Sequence, residues 1–324
     1  MEVLVAGASG ALGRPLVRAL VAGGHHVHGL TRTPGHRELV AGLGAEPVVA
    51  DAMDGESLAA AVRGLRLDGV IHVLTALKKL PTRSAHMEQT NRLRTLGTAN
   101  LLRAARATGA RRFVAESMHV GYGLGDWGDQ VLTEATPFAP PGRNPGLERV
   151  MAAFRSLEDQ VLGASREGWI EGVALRFGAF YGPEGGSESL VEALRRRRLP
   201  LLGAGQGVMH WIHLEDAAAA TVAALEKGSP GAAYNVVDDQ AVTWNDFLGL
   251  LAETFGAPRP RSLPRWLLSL AAPYAVEFMS TRIAVSNALA RRELGWTPAA
   301  PTYMEGIAKL AWSLEPSALA LGIQ

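Results

Sequence analysis

The 324 residues carry 32 Lys and Arg against 31 Asp and Glu, a net charge of +1, so no basic excess points to nucleic acid or to an anionic membrane. There is no cysteine, which excludes disulfides, thiolate metal sites and a cysteine nucleophile. A length of 324 residues allows one large α/β domain or a domain with a smaller appended lobe. No apolar run reaches the roughly 20 residues of a membrane helix, and Met1-Glu2-Val3 runs straight into a core strand with no room for a signal peptide. A cytoplasmic protein is expected.

Val3 to Ala6 read as a buried parallel strand, and Arg14 to Ala22 as a helix with Leu16, Val17, Leu20 and Val21 at helical spacing. Between them lies Gly7-x-x-Gly10-x-x-Gly13. Glycines here allow a sharp turn, a close approach of pyrophosphate to the backbone and tight packing of helix on sheet, with the helix N-terminus facing the phosphates. A dinucleotide cradle is expected. The second strand, His26 to Arg32, ends in Thr31-Arg32 with no acid between Val27 and Gly35. An NAD site would place a carboxylate there, whereas a guanidinium suits a 2′-phosphate, so NADPH is the expected cofactor.

Further strands are expected at Glu46 to Asp51, Gly69 to Thr75, Arg112 to Ser117 and Glu171 to Arg176. Helices are expected at Asp54 to Arg63 with Asp54 as cap, Met87 to Thr108 ended by Gly109, and Leu147 to Arg166. This alternation predicts an α/β fold with a Rossmann-type doubly wound parallel sheet. Residues 1–182 are expected to hold the cofactor, and 183–324 to form a smaller substrate lobe with elements returning to the sheet. That lobe should contain short helices at Ser189 to Arg197, Leu214 to Leu225 and Trp244 to Phe255. Gly121 to Pro145 is rich in Gly and Pro, long for a connection, and reads as a functional loop.

With these segments stand Gly97-Thr-Ala-Asn-Leu-Leu, Thr133-Glu-Ala-Thr-Pro, Leu175-Arg-Phe-Gly-Ala-Phe-Tyr-Gly-Pro183, His213-Leu-Glu-Asp, Tyr234-Asn-Val-Val-Asp-Asp and Arg292-Glu-Leu-Gly-Trp-Thr-Pro. Over nearly its whole length the chain resembles the extended short-chain dehydrogenases and reductases, the group of NAD-dependent epimerases and dehydratases. It departs from them where chemistry is done. The resemblance implies a Tyr-x-x-x-Lys pair on the helix after the fifth strand, but the chain reads Arg149-Val-Met-Ala-Ala-Phe154. The family serine four before the tyrosine of Val-Tyr-Gly is Met118, with Ser117 beside it, and a family asparagine is replaced by Arg94. The chain thus resembles the atypical branch that keeps the cofactor site and lacks the common acid. The arginine that clamps a sugar diphosphate, four before the His of His-x-x-Asp, is Met209. Arg195 to Arg198 read as a basic tip on a surface helix.

The expected catalytic residues are therefore Ser117, at the end of the fifth strand, with His119 and Tyr122 on the loop that follows. The expected cofactor contacts are Gly7, Ser9, Gly10, Ala11, Leu12, Gly13, Thr31, Arg32, Asp51, Ala52, Leu74, Thr75, Ala76, Ser117, Phe177 and Gly178. Trp127, Phe138, Trp211, Trp266, Tyr274, Phe278 and Met279 are read equally as a pocket for a flat apolar ligand and as ordinary core. His213 reads as a helix cap with Asp216, His25, His26 and His28 take no role, and no metal is expected. The expected activity is NADPH-dependent reduction of a bulky, apolar, aromatic polyketide-like ketone, a phenolic hydroxyl of the substrate supplying the proton. A sugar-nucleotide epimerase or dehydratase and a non-catalytic NADPH sensor are the alternatives. The family resemblance implies a homodimer through the helices at Met87 to Thr108 and Leu147 to Arg166.

Overall fold

Short apolar runs alternating with amphipathic segments bury their faces by stacking helices on both sides of a parallel sheet. The computed structural model, which describes residues 1–77, 80–138, 141, 145–184 and 187–314, has such a sheet with seven strands. In chain order they are β1 (Glu2–Ala6), β2 (His26–Thr31), β3 (Glu46–Val49), β4 (Gly69–His72), β5 (Arg112–Met118), β6 (Glu171–Phe177) and β7 (Ala233–Val236). All neighbours run parallel, in the order 3-2-1-4-5-6-7. The order reverses between β1 and β4, so a crevice opens beyond their C-terminal ends, where open α/β sheets bind ligands.

The α-helices of the described residues are α1 (Gly13–Ala22), α2 (Arg37–Gly42), α3 (Gly55–Ala61), α4 (Glu88–Arg92), α5 (Thr98–Thr108), α6 (Pro145–Arg166), α7 (Glu188–Arg195), α8 (Leu214–Lys227), α9 (Trp244–Thr254), α10 (Arg265–Ala271), α11 (Pro273–Ser280), α12 (Ala288–Leu294) and α13 (Tyr303–Leu314). Successive side chains of β1 point to opposite faces of the sheet. Val3 and Val5 join Leu16, Val17 and Leu20 of α1 and Leu214, Ala217 and Leu225 of α8. Leu4 and Ala6 join Leu101 and Ala105 of α5 and Leu157 and Val161 of α6. Asp54 caps α3 as expected, accepting from the amides of Glu56 (3.1 Å) and Ser57 (3.0 Å). His213 caps α8, its Nδ1 accepting from the Glu215 amide at 3.3 Å. Asp216 has a different partner, holding the amides of Ala299 and Ala300 at 2.8 and 3.0 Å.

Two segments differ from expectation. The helix expected over Met87 to Thr108 is interrupted: α4 passes through a π-helical turn, Leu93–Gly97, before α5 begins, and Gly109 (φ 79°) ends it. Hydrophobic periodicity at this resolution does not register one extra residue in a turn. The Gly- and Pro-rich stretch contains a strand, Asp126–Leu132, paired with Arg282–Val285. Nearly all its side chains are at least partly exposed, so it carries no apolar alternation to read. Residues 139, 140 and 142–144 of that stretch lie outside the described residues.

Candidate active site

The strand–turn–helix at the N-terminus fits a dinucleotide. Gly7 has φ +107°, and a Cβ on it would stand 2.7 Å from the Val73 carbonyl oxygen. A Cβ on Gly13 would meet the Gly7 carbonyl oxygen at 1.9 Å, so strand, turn and helix approach as closely as bare backbone allows. The Gly10 amide donates to the Gly7 carbonyl (2.8 Å), the Arg14 Nε to the Ser9 carbonyl (3.1 Å), and His36 Nδ1 lies 3.3 Å from Ser9 Oγ. No acid sits in the first turn of α1 and among the described residues no side chain caps it, which suits its positive end to an anion. Thr31 is buried, whereas Arg32 is exposed at the end of β2. The Asp51 carboxylate is taken up by the Met53 amide (2.9 Å), and Leu74 and Ala76 are half-buried beside exposed Thr75.

A cavity of about 240 Å³ opens from this turn. Ala11, Thr75, Met118, Ala179 and Phe180 bound it on the cradle side, and Phe154, Trp211, Trp244, Tyr274 and Phe278 wall it beyond. Among these apolar surfaces stand two ionisable groups of opposite sign, Arg94 and Glu116. Arg94 belongs to the π-helical turn and is 4% exposed, its guanidinium carbon 3.7 Å from the centre of the Phe154 ring. Among the described residues its Nη1 has no hydrogen-bond partner. Burial pushes the Glu116 carboxyl up to about 7, partly offset by attraction to Arg94. Burial likewise draws Arg94 down to about 10 and pushes the Tyr274 hydroxyl up to about 12. On α6, the segment from Arg149 to Phe154 turns Val150, Met151 and Phe154 into an apolar cluster with Met87, Val120 and Tyr274.

The structure keeps Ser117, His119 and Tyr122 away from this cavity. Side chains alternate along β5, so Glu116 and Met118 reach the cavity while Ser117 points toward α6. Ser117 is fully buried and donates to Glu158 Oε1 at 2.7 Å. Glu158 is itself clasped by Arg176 through Nη2 (2.6 Å) and Nε (3.0 Å). Arg176 Nη1 donates to the Tyr122 hydroxyl at 2.7 Å, which also lies 3.0 Å from the Thr133 carbonyl and from Asn235 Oδ1. His119 donates through Nδ1 to the Phe177 carbonyl (2.9 Å), and burial pushes its pKa down to about 3, so the ring is neutral. These three side chains tie β5 to α6, β6 and β7. None of the three lines the cavity, and Ser117 and Phe177 are fully buried.

Of the aromatic residues read from the sequence, Trp211, Tyr274 and Phe278 line the cavity. Trp127, Phe138 and Met279 pack in an apolar cluster with Trp211, Trp244 and Phe247, and Trp266 is 69% exposed. The sequence reading missed Glu116, Phe154, Phe180 and Trp244, and took Arg94 only as a lost asparagine. A charge inside the apolar run Phe113-Val-Ala-Glu116 was the available signal. Arg195 to Arg198 are exposed and away from the cavity. At the opposite end of the sheet, Glu2 Oε2 lies 2.6 Å from His26 Nδ1 and 3.0 Å from His28 Nε2, a group that could hold a metal ion although none was expected.

The chain is similar throughout its length to known proteins. It is 38% identical over 317 residues to 3-diazoavenalumate denitrifying reductase of a Streptomyces species, covering 95% of this chain and 100% of the relative. It is 28% identical to a 4-hydroxy-2-methyl-3-oxo-4-farnesyl-3,4-dihydroquinoline-1-oxide ketoreductase of Stigmatella aurantiaca, over 91% of this chain and 92% of that one. The fold superposes on UDP-glucose 4-epimerase of Thermotoga maritima with a TM-score of 0.80 at 20% identity, covering 97% and 98% of the two chains. Residues 3–237 match the model of the NAD dependent epimerase/dehydratase family. The chain belongs to that family, as an enzyme of nicotinamide-dependent redox chemistry.

Proposed function

We propose that this enzyme is an NADPH-dependent reductase of a ketone borne on a flat aromatic substrate. The observation that carries the reading is the cavity, which begins at Ala11 and Thr75 beside the glycine turn and ends among Trp211, Trp244, Tyr274 and Phe278. When bound, the cofactor supplies a hydride. Gly7, Ser9, Gly10, Ala11, Leu12 and Gly13 would hold its diphosphate, Thr31 and Arg32 its 2′-phosphate, Asp51 and Ala52 its adenine end, and Leu74, Thr75, Ala76 and Gly178 the nicotinamide side. The preference for NADPH rests on exposed Arg32, with His36 beside Ser9 and no acid at the end of β2. Aromatic walls exclude water and fix the plane of the ring. Glu116, its carboxyl raised by burial to about 7, keeps part of its population protonated at neutral pH and gives that proton to the oxygen as the carbonyl is reduced. This replaces the substrate's own phenol as the proton source.

A second reading is reductive denitrification of an aryl diazo compound, favoured by the 38% identical relative named for that reaction. A sugar nucleotide is disfavoured, because its diphosphate would meet Arg94 as the one cation of the described cavity lining. The deciding experiment mixes purified enzyme and NADPH or NADH with aromatic ketones and with aryl diazonium salts, following nucleotide oxidation and gas release. Alcohol formation with NADPH supports the first reading, and dinitrogen release transfers it to the second. Equal affinity for NADH and NADPH, unchanged by Arg32→Glu, removes the role given to Arg32.

A further inference from the structure

We propose that Arg94 makes the cavity a receptor for an aromatic acid, the guanidinium seating a carboxylate of the ligand above the Phe154 ring. This names the substrate class of the reductase read above and rests on that reading, but the binding site is testable without turnover.

A guanidinium almost wholly removed from water is ordinarily paired. Arg94 is 4% exposed, Nη1 has no hydrogen-bond partner among the described residues, and its guanidinium carbon lies 3.7 Å from the centre of the Phe154 ring. A ring face attracts a cation but satisfies none of its N–H donors. Glu116 lines the same cavity and attracts Arg94, yet no ion pair joins them among the described residues. The cation and the carboxyl therefore line one cavity without pairing. Local backbone supports the same reading: Arg94 leaves the chain in the π-helical turn Leu93–Gly97, and such single turns re-aim a side chain at functional sites.

The ligand chemistry follows from these constraints. A guanidinium fork matches a carboxylate through two parallel hydrogen bonds. One cation balances a carboxylate monoanion, whereas a phosphate dianion would leave excess charge in an apolar enclosure. Trp211 and Trp244 flank the remaining space, which suits a planar ring attached to the acid. With the carboxylate on Arg94, Glu116 faces a second negative charge and is held in its protonated form, ready to act as the acid.

The test is calorimetric titration, with tryptophan fluorescence in parallel, of cinnamate, cinnamamide and methyl cinnamate into enzyme saturated with NADP⁺. Cinnamate is expected to bind at least tenfold more tightly than its two neutral analogues. Arg94→Met is expected to abolish that preference while leaving cinnamamide affinity within about threefold. Arg94→Lys, which keeps the charge and loses the fork, is expected to retain only part of it. Equal affinity for acid and amide in the unaltered protein overturns the proposal and needs no variant. A preference for the acid that survives Arg94→Met overturns it too. If no ketone or diazo compound is reduced but the acid preference is found, the reductase reading fails and the anion site stands.

Discussion

Ser117→Ala distinguishes a serine that braces the fold from one that handles substrate. The hydroxyl is fully buried and donates to Glu158 Oε1 at 2.7 Å, while Arg176 holds the same carboxylate at 2.6 and 3.0 Å. A hydrogen bond to a charged acceptor contributes about 1.5–3 kcal/mol. Arg176 stays in place in the variant, so Glu158 is not stranded and the lower end, about 2 kcal/mol, applies. For a chain of this size that lowers Tm by roughly 4 °C. Glu158→Ala, by contrast, leaves the Arg176 guanidinium buried without its counter-charge, a loss of about 3–5 kcal/mol. The assay is thermal unfolding of the three proteins, followed by single-turnover NADPH oxidation well below the lowest Tm. Ser117→Ala is expected to melt early and to turn over within about threefold of the parent. An unchanged Tm with a thousandfold slower reaction would place Ser117 in the chemistry and refute the assignment of β5 faces.

In Gly13→Ala the added Cβ would lie 1.9 Å from the Gly7 carbonyl oxygen, so NADPH affinity is expected to fall about a hundredfold by fluorescence titration; normal binding would disprove the cradle. Glu116→Gln is expected to lower kcat by roughly 10²–10⁴ with cofactor affinity kept. In the parent, kcat/KM should fall as pH rises through about 7, because the acid of the free enzyme must carry its proton while burial and Arg94 act on it; a flat kcat/KM profile from pH 6 to 9 would exclude Glu116. Burial pushes His72, His119 and His210 down to about 4, 3 and 4. Each is neutral when folded and gains a proton on unfolding below its ordinary value near 6.5, so stability present above that pH is lost as pH falls toward 4. The slope approaches about 4 kcal/mol per pH unit for three protons; urea midpoints that hold steady between pH 6.5 and 5 would contradict this.

The sheet was legible because its strands are either continuous apolar runs or end in recognisable turns, and Gly7-x-x-Gly10-x-x-Gly13 marked the tight turn between β1 and α1. Chemistry was less legible. Placing Ser117 at the end of β5 was correct to one residue, and one residue is the whole difference between the two faces of a strand. Glu116 was passed over as part of an apolar run, although an acid at the end of a buried strand is costly unless it is used. Arg94 was recognised as a departure without a role, since the turn that aims it is invisible in a periodicity of 3.6. Trp127 and Trp211 carry the same side chain, and only the packing of distant segments decides which one meets a ligand.

The place of β7 and α8 in the sheet ties the two ends of synthesis together. The face of α1 that buries Leu16, Val17 and Leu20 is closed in part by Leu214, Ala217 and Leu225, and β6 is paired on its outer side by β7. About 200 residues must leave the ribosome between α1 and its cover, on the order of 10–40 s at 5–20 residues per second. During that interval the nascent sheet exposes an apolar face and an unpaired edge, both of which recruit chaperones or other chains. A fragment ending at residue 182 would keep that exposure permanently, so it is expected to aggregate, however complete its nucleotide cradle looks on paper.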